Sequence, residues 1–476
     1  MEFETVIGLE VHAELSTNTK IYCGCTTEYG GKPNTHVCPV CLGLPGSLPM
    51  LNKKVVDYGI KAGLALNCRI TKLSRMDRKN YFYPDCPKNY QITQDEFPLS
   101  RDGYIDIEIS EGVIKRIGIE RIHIEEDAGK LLHTNSGTLV DFNRAGVPLI
   151  EIVSKPDLSS PEEATLYLQK LKSILSSIEV SDCKMEEGSL RCDGNISIKP
   201  KGETKLGIRS EIKNMNSFKA LEKALGYEFI RQEEVLNSGG KLSTETRRWD
   251  ESTLKTYIMR SKEQANDYRY FPEGDQVTIN ISDEWIEAIR STIPELTHEK
   301  LARFIKEFDI SSYDAMVLTL SAPLADFFEA TAKISMDAKS SANWLMGDIS
   351  KLMNEALITA ASLKFTPEDL SALIKLINSG TISNNIGKKI LNEMFLTGKS
   401  PGKIVEEEGL TQNNDEGEIL SAVIEAIKAS STSVEDYKNG KTRVVGFLVG
   451  LVMKATKGKS NPQMVNKLIL QELNKL

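Results

Sequence analysis

Apolar and polar residues alternate strictly near the start of the chain: Leu9, Val11, Ala13 and Leu15 interleave with Glu10, His12 and Glu14. A period of two belongs to a strand with one buried face, so this stretch is predicted to be a strand displaying two carboxylates and an imidazole. Side chains two apart on a strand lie roughly 7 Å from each other. Glu10 and His12 therefore share one metal ion only if neighbouring strands complete its shell. An ordinary edge strand with a solvated polar face has the same pattern, and this stretch alone does not separate the two.

The alternation recurs. Ile122 and Ile124 oppose His123, Glu125 and Asp127, while Ile117 and Ile119 have the other parity, which predicts a bulge near Glu120. Leu190, Cys192, Ile196 and Ile198 oppose Arg191, Asp193 and Asn195, and Ile208 and Ile212 oppose Arg209, Glu211 and Lys213. Leu149-Ile150-Glu151-Ile152-Val153 is different, because one carboxylate stands among four aliphatics. An unpaired buried charge is too costly, so Glu151 is paired with a cation or bound to a metal.

Helical periods fill the rest. Ser160-Pro161-Glu162-Glu163 reads as a helix start, followed by a core stripe of Leu168, Leu171, Leu175 and Ile178. A second helix is predicted from Phe218 to Leu236, closed by Asn237-Ser238-Gly239-Gly240. Strand alternation fades near residue 290, and from Pro294 to Gly402 the pattern is helical, with starts such as Thr366-Pro367-Glu368-Asp369. The predicted class is α+β, with a strand-rich region over 1–293, an all-α domain over 294–406 and a small helical tail domain over 407–476.

Composition narrows the chemistry. A chain of 476 residues is long enough for two to four domains, and 40% hydrophobic with 26% charged residues describes an ordinary globular protein. The net charge of −8 excludes a basic nucleic-acid coat. Local charge is less even: from Lys438 onward eight Lys or Arg stand against one Glu. That is a solvated face or a phosphate-backbone contact. The chain opens Met-Glu-Phe-Glu without a signal pattern, and the apolar run Val444–Met453 is about half a membrane span. A cytoplasmic, membrane-free protein is expected.

Cys23-Gly24-Cys25 and Cys38-Pro39-Val40-Cys41 have the paired spacing of a zinc knuckle. Disulfides are disfavoured in that compartment, chance clustering is the competing explanation, and four thiolates leave no open position, so any Zn²⁺ here is structural. Cys68, Cys86, Cys183 and Cys192 lack such spacing and are expected to be buried thiols. Met76 to Asp85 mixes cations and aromatics, and such a loop holds a nucleotide or plugs a core. Several polar strand faces from one region suggest a sheet whose polar side is a site. Carboxylates suit Mg²⁺ and the interspersed Arg and Lys suit phosphate, which points to ATP-dependent chemistry. The chain has neither a Walker loop nor a dinucleotide fingerprint.

Taken together, these motifs resemble the B subunit of the aspartyl/glutamyl-tRNA amidotransferase. The resemblance runs essentially the whole length: Val6 to His12, Asp77 to Asp85, His123 to Gly129, Pro148 to Val153, Met185 to Asp193, Glu211 to Phe218, Asp267 to Pro272 and Met453 to Gly458. It implies a glutamine-synthetase-like, mostly antiparallel catalytic sheet, a helical domain and a tail domain that touches tRNA. It also implies an amidase (A) subunit that releases ammonia from glutamine, and a small C subunit. The family's reaction phosphorylates the side-chain carboxylate of Glu or Asp misacylated on tRNA(Gln) or tRNA(Asn) with Mg²⁺-ATP, and ammonia then displaces the phosphate. Carried onto this sequence, Glu10, His12, Glu125, Glu151, Asp193 and Glu211 become the catalytic Mg²⁺ ligands. Lys79, Arg191 and Arg209 become phosphate contacts, and Lys454, Lys457 and Lys459 become tRNA contacts. After Glu273 the chain departs from the family's usual Pro-Asp-Leu-Pro, reading Gly274-Asp275-Gln276-Val277. Two other readings remain at this point: a free-standing carboxylate–amine ligase, and a non-catalytic tRNA-binding scaffold.

Overall fold

The computed structural model describes residues 2–261, 268–410, 416–438, 443–456, 460 and 462–475. Asp267, Lys457, Gly458 and Lys459 lie outside them. The chain divides into two compact units, Met1–Leu296 and Thr297–Leu476.

In the first unit the strands begin with β1 (Phe3–Glu14), β2 (Arg69–Ile70), β3 (Leu73–Ser74), β4 (Asp77–Asn80) and β5 (Tyr90–Thr93). They continue with β6 (Ser100–Ser110), β7 (Val113–Glu126), β8 (Lys130–Thr134), β9 (Gly137–Asp141) and β10 (Pro148–Ser154). The last are β11 (Leu190–Pro200), β12 (Ser210–Met215), β13 (Glu245–Asp250), β14 (Lys255–Ser261), β15 (Phe271–Pro272) and β16 (Ile279–Asn280). Nine form one sheet in the order β14-β13-β12-β11-β1-β10-β7-β6-β2. Neighbours are antiparallel except β12 and β13, which run parallel. That pair is joined through the helix Phe218–Asn237, because a parallel connection needs a crossover too long for a tight turn. The class is α+β, as the alternation predicts.

β1 is no edge strand. It pairs with β10 on one side and β11 on the other, and Ile7, Leu9, Val11 and Ala13 are at most 1% exposed. These residues share a core with Leu168, Leu171 and Leu175 of the helix Pro161–Ser177 and with Leu221 and Leu225 of the helix Phe218–Asn237. With the apolar side covered, the polar side of the sheet is left for chemistry. The bulge falls at Glu120, where Val153 pairs with Arg121 and Ser154 with Ile119. Two expectations need correction. Ile208 is 45% exposed rather than core, because the strand starts only at Ser210. Asp77–Asn80 is not loop but strand, stitched between β5 and β15.

The second unit is helical among its described residues. Helices from Thr297–Phe308 to Pro401–Glu408 enclose a core that includes Phe304, Phe328, Leu370 and Met394. The start at Thr366 is a full capping box: Thr366 accepts from the Asp369 N–H and Asp369 accepts in return. A second core contains Ile419, Val423, Leu448, Val452 and Val465, from helices between Glu416 and Leu473. Among the described residues no helix is long and apolar enough to cross a membrane.

Candidate active site

The register of the central strands decides which side chains meet. His12 sits opposite Glu151 on β10 and opposite Arg191 on β11; Glu10 sits opposite Asp193, and Glu151 opposite His123 on β7. Adjacent strands are about 4.8 Å apart, so directly opposed side chains on one face touch. The six predicted ligands form two clusters. In each of the sets His12, Glu125, Glu151 and Glu10, Asp193, Glu211, the ligand atoms lie within 4.8 Å of one another. Glu10 and His12, neighbours on one face of β1, serve different clusters.

In the first cluster, His12 Nε2 is 3.2 Å from Glu151 and 3.4 Å from Glu125. His123 joins it, with Nε2 at 3.3 Å from Glu151 and 3.8 Å from Glu125. The carboxylates are buried, and burial opposes their charge, but the two imidazoles outweigh it and hold both below the usual carboxylate range. The converse holds for His123: burial pushes its pKa down, and Glu151 and Glu125 carry it up to about 9. His123 Nδ1 is buried without a hydrogen-bond partner.

The second cluster is carboxylate-only. Asn195 donates to Glu10 at 2.9 Å, Thr246 donates to Glu211 at 2.8 Å, and Lys213 bridges Asp193 at 2.5 Å and Glu211 at 3.0 Å. Burial, Glu151 and Glu211 raise the Glu10 pKa against the Asn195 hydrogen bond. The Asn195 Oδ1 is buried and unpartnered beside Glu10. Concentrated negative charge with a spare oxygen acceptor suits a hard divalent cation, and an imidazole with two carboxylates suits a second.

The remaining predicted residues fall around these clusters. Lys79 lies 4.9 Å from the Tyr268 ring centre. Burial works against its charge, but Glu125, Tyr270 and Glu151 dominate and raise its pKa. Arg191 points at Asp127, 2.9 Å away, and Arg144 reaches the same oxygen at 3.1 Å. Arg209 lies exposed in the segment before β12 and borders a cavity of about 260 Å³ shared with Glu10 and Asn195. Lys454 is exposed on the helix Val444–Ala455.

The four cysteine sulfurs Cys23, Cys25, Cys38 and Cys41 also lie within 4.8 Å of one another. Tetrahedral zinc with bonds of about 2.3 Å sets sulfurs about 3.8 Å apart, so the quartet fits zinc. A hydrogen bond from Cys23 leads the effects that lower the Cys41 thiol to about 5, against burial. Cys68, Cys86, Cys183 and Cys192 are buried and free.

Sequence reasoning did not include His123, Asn195 or Lys213 among the site residues. Each shares strand parity with a chosen carboxylate, so the signal was present. Arg144 had none, since it comes from a loop.

A family model described as the GatB/GatE catalytic domain matches residues 5–287, and one described as the GatB domain matches residues 326–473. The chain is 73% identical, over all 476 residues and the whole of the relative, to the B subunit of the aspartyl/glutamyl-tRNA(Asn/Gln) amidotransferase from Clostridium botulinum strain Loch Maree. It is equally 73% identical, again over the full length of both chains, to the corresponding B subunit from Clostridium tetani strain Massachusetts. With a matched catalytic region that contains every residue of the two clusters, this chain belongs to the GatB/GatE family.

Proposed function

We propose that this chain is the B subunit of a glutamine-dependent aspartyl/glutamyl-tRNA amidotransferase, a carbon–nitrogen ligase of the 6.3.5 type, and carries its ATP-dependent site. The observation that carries the reading is the pair of carboxylate clusters side by side on one sheet face. A free carboxylate resists attack by ammonia, so the reaction needs a better leaving group. The γ-phosphoryl group of ATP passes to the side-chain carboxylate of Glu or Asp esterified to tRNA. Ammonia then attacks the acyl carbon, phosphate departs, and a proton is released.

Glu10, Asp193 and Glu211 would hold one Mg²⁺ and His12, Glu125 and Glu151 another, and the ions would neutralise phosphoryl oxygens. The chain's own cations complete the charge balance. Lys79, its charge favoured by Glu125 and Glu151, would meet phosphate oxygen, as would Arg209, which borders the cavity on the Glu10 side. Asp127 orients Arg191 from β11, with Arg144 on its other flank. Residues 1–293 serve as the catalytic domain, 294–406 as a helical domain and 407–476 as a tail that brings Lys454, Lys457 and Lys459 to tRNA. An amidase subunit supplies ammonia, a small C subunit completes a heterotrimer, and the assembly works in the cytoplasm.

The test is ADP formation by the reconstituted complex with Glu-tRNA(Gln) and, separately, Asp-tRNA(Asn). Stimulation by either supports the reading. Absence of tRNA-stimulated ADP formation with both refutes it, and amide synthesis by the purified chain on a small carboxylate would point to the free-standing ligase.

A further inference from the structure

Lys20 is 0% exposed, among the largest completely buried side chains of the protein. Its ammonium donates to the His36 carbonyl at 2.8 Å and lies 3.4 Å from the Phe142 carbonyl. Among the described residues no carboxylate lies within 4.0 Å of it. The neighbouring Glu126 is occupied by Lys88 at 2.6 Å and by the Ile92 N–H at 2.9 Å. Two carbonyl dipoles neutralise less of a buried ammonium's charge than an anion would. A further anion near Lys20 would complete its neutralisation.

The cysteine quartet adjoins Lys20. The Lys20 N–H donates to the Cys25 carbonyl at 2.9 Å, so the residue is part of the knuckle backbone. A Cβ built on Gly146 would sit 3.5 Å from the Cys41 Cβ and 3.6 Å from the Lys20 Cδ, so both side chains flank one glycine. Lys20, Cys23 and Cys41 line one cavity of about 190 Å³. Four thiolates around Zn²⁺ carry a net charge of −2 inside a partly buried lobe.

We propose that Lys20 is the internal counter-cation of the zinc tetrathiolate, an inference that rests on the quartet holding zinc. Its position also ties the lobe to the sheet. The Ile21 N–H donates to the Gly146 carbonyl at 2.9 Å, and the His36 N–H donates to the Asn143 side chain at 2.8 Å. Arg144, between those two anchors, is the residue that flanks Asp127. A zinc lobe neutralised by Lys20 thus holds in place the loop that borders the catalytic face.

The experiment measures zinc content by elemental analysis and the rate of zinc transfer to a colorimetric chelator, in the full-length protein. Wild type, Lys20→Met, Lys20→Arg and Cys25→His are compared, with Lys20→Met repeated in the Cys25→His background. Removing a group that supports metal ligands costs about 10–100-fold in metal affinity, so Lys20→Met should release zinc at least about tenfold faster, and Lys20→Arg should restore much of the loss. Cys25→His halves the negative charge of the centre, from −2 to −1, so Lys20→Met should cost less there, which loss of packing would not explain. Equal release from wild type and Lys20→Met, or an undiminished effect in the Cys25→His background, overturns the counter-cation role. Wild type without zinc overturns the zinc reading itself.

Discussion

Replacing Glu151 with Gln tests the catalytic reading most directly, because it changes one charge and almost no volume. Glu151 is 8% exposed and stands 3.2 Å from His12 and 3.3 Å from His123. At that separation and an effective dielectric near 20, the gross attraction of one such pair is roughly 5 kcal/mol. Desolvation offsets part of that, and breaking one partner of a buried pair typically costs about 3–5 kcal/mol. The carboxamide keeps the shape and one hydrogen bond, so metal-free Glu151→Gln should lose about 3 kcal/mol, seen as a Tm lowered by roughly 5 °C. In wild type, Mg²⁺ at about 100 times its Kd should add roughly 2.7 kcal/mol of stability. The variant should gain much less. Scanning calorimetry with and without Mg²⁺ gives both numbers, and tRNA-stimulated ADP formation in the reconstituted complex should fall about 100-fold or more, the scale of removing one electrostatic contact to the transition state. A Glu151→Gln protein with the wild-type Mg²⁺ response and ADP formation within about twofold would refute the assignment.

Three further outcomes follow from the same geometry. His123 is carried up from 6.5 to about 9, so its contribution to metal-free stability is complete below pH 6.5 and lost as pH rises through 9. Urea unfolding in a chelator should therefore show stability falling across that window, by at most about 3 kcal/mol, and His123→Gln should flatten the profile. Lys213→Met leaves Asp193 and Glu211 facing each other without their bridging cation; the metal-free protein should lose about 1–3 kcal/mol, and millimolar Mg²⁺ should recover most of it. Gly207→Ala would push a Cβ into the Ile198 carbonyl, forcing the segment that carries Arg209 to shift. Its effect should be a raised KM for ATP in the reconstituted complex, with a wild-type circular dichroism spectrum.

The correspondence between strand parity and site is close along each strand and absent between strands. Ile122 and Ile124 facing the core, with His123 and Glu125 on the other side up to the bulge at Glu120, were legible because side chains alternate with a fixed period. Glu151 was legible because a carboxylate in an aliphatic run demands a partner. The identity of that partner was not, since His12 and His123 come from strands 139 and 28 residues away, and only the sheet order sets them on either side. Ile208 fails for a related reason: its parity is right for a strand, but the chain is not yet paired there and the residue stays in solvent.

The sequence by itself determined the local elements and their faces, because backbone period and burial of apolar side chains act over a few residues. It also determined the family, through long motifs in a fixed order. It left the Gly8–Leu15 strand open between an edge with a wet face and a wall of a site. The tertiary structure decided that question by placing the strand at the centre of nine, with a carboxylate-bearing neighbour on each side. That pairing also split its two polar residues, sending Glu10 toward Asp193 and Glu211, and His12 toward Glu125 and Glu151. Register is a property of strand pairs, and charge clusters are a property of register, so neither could be read from one strand alone.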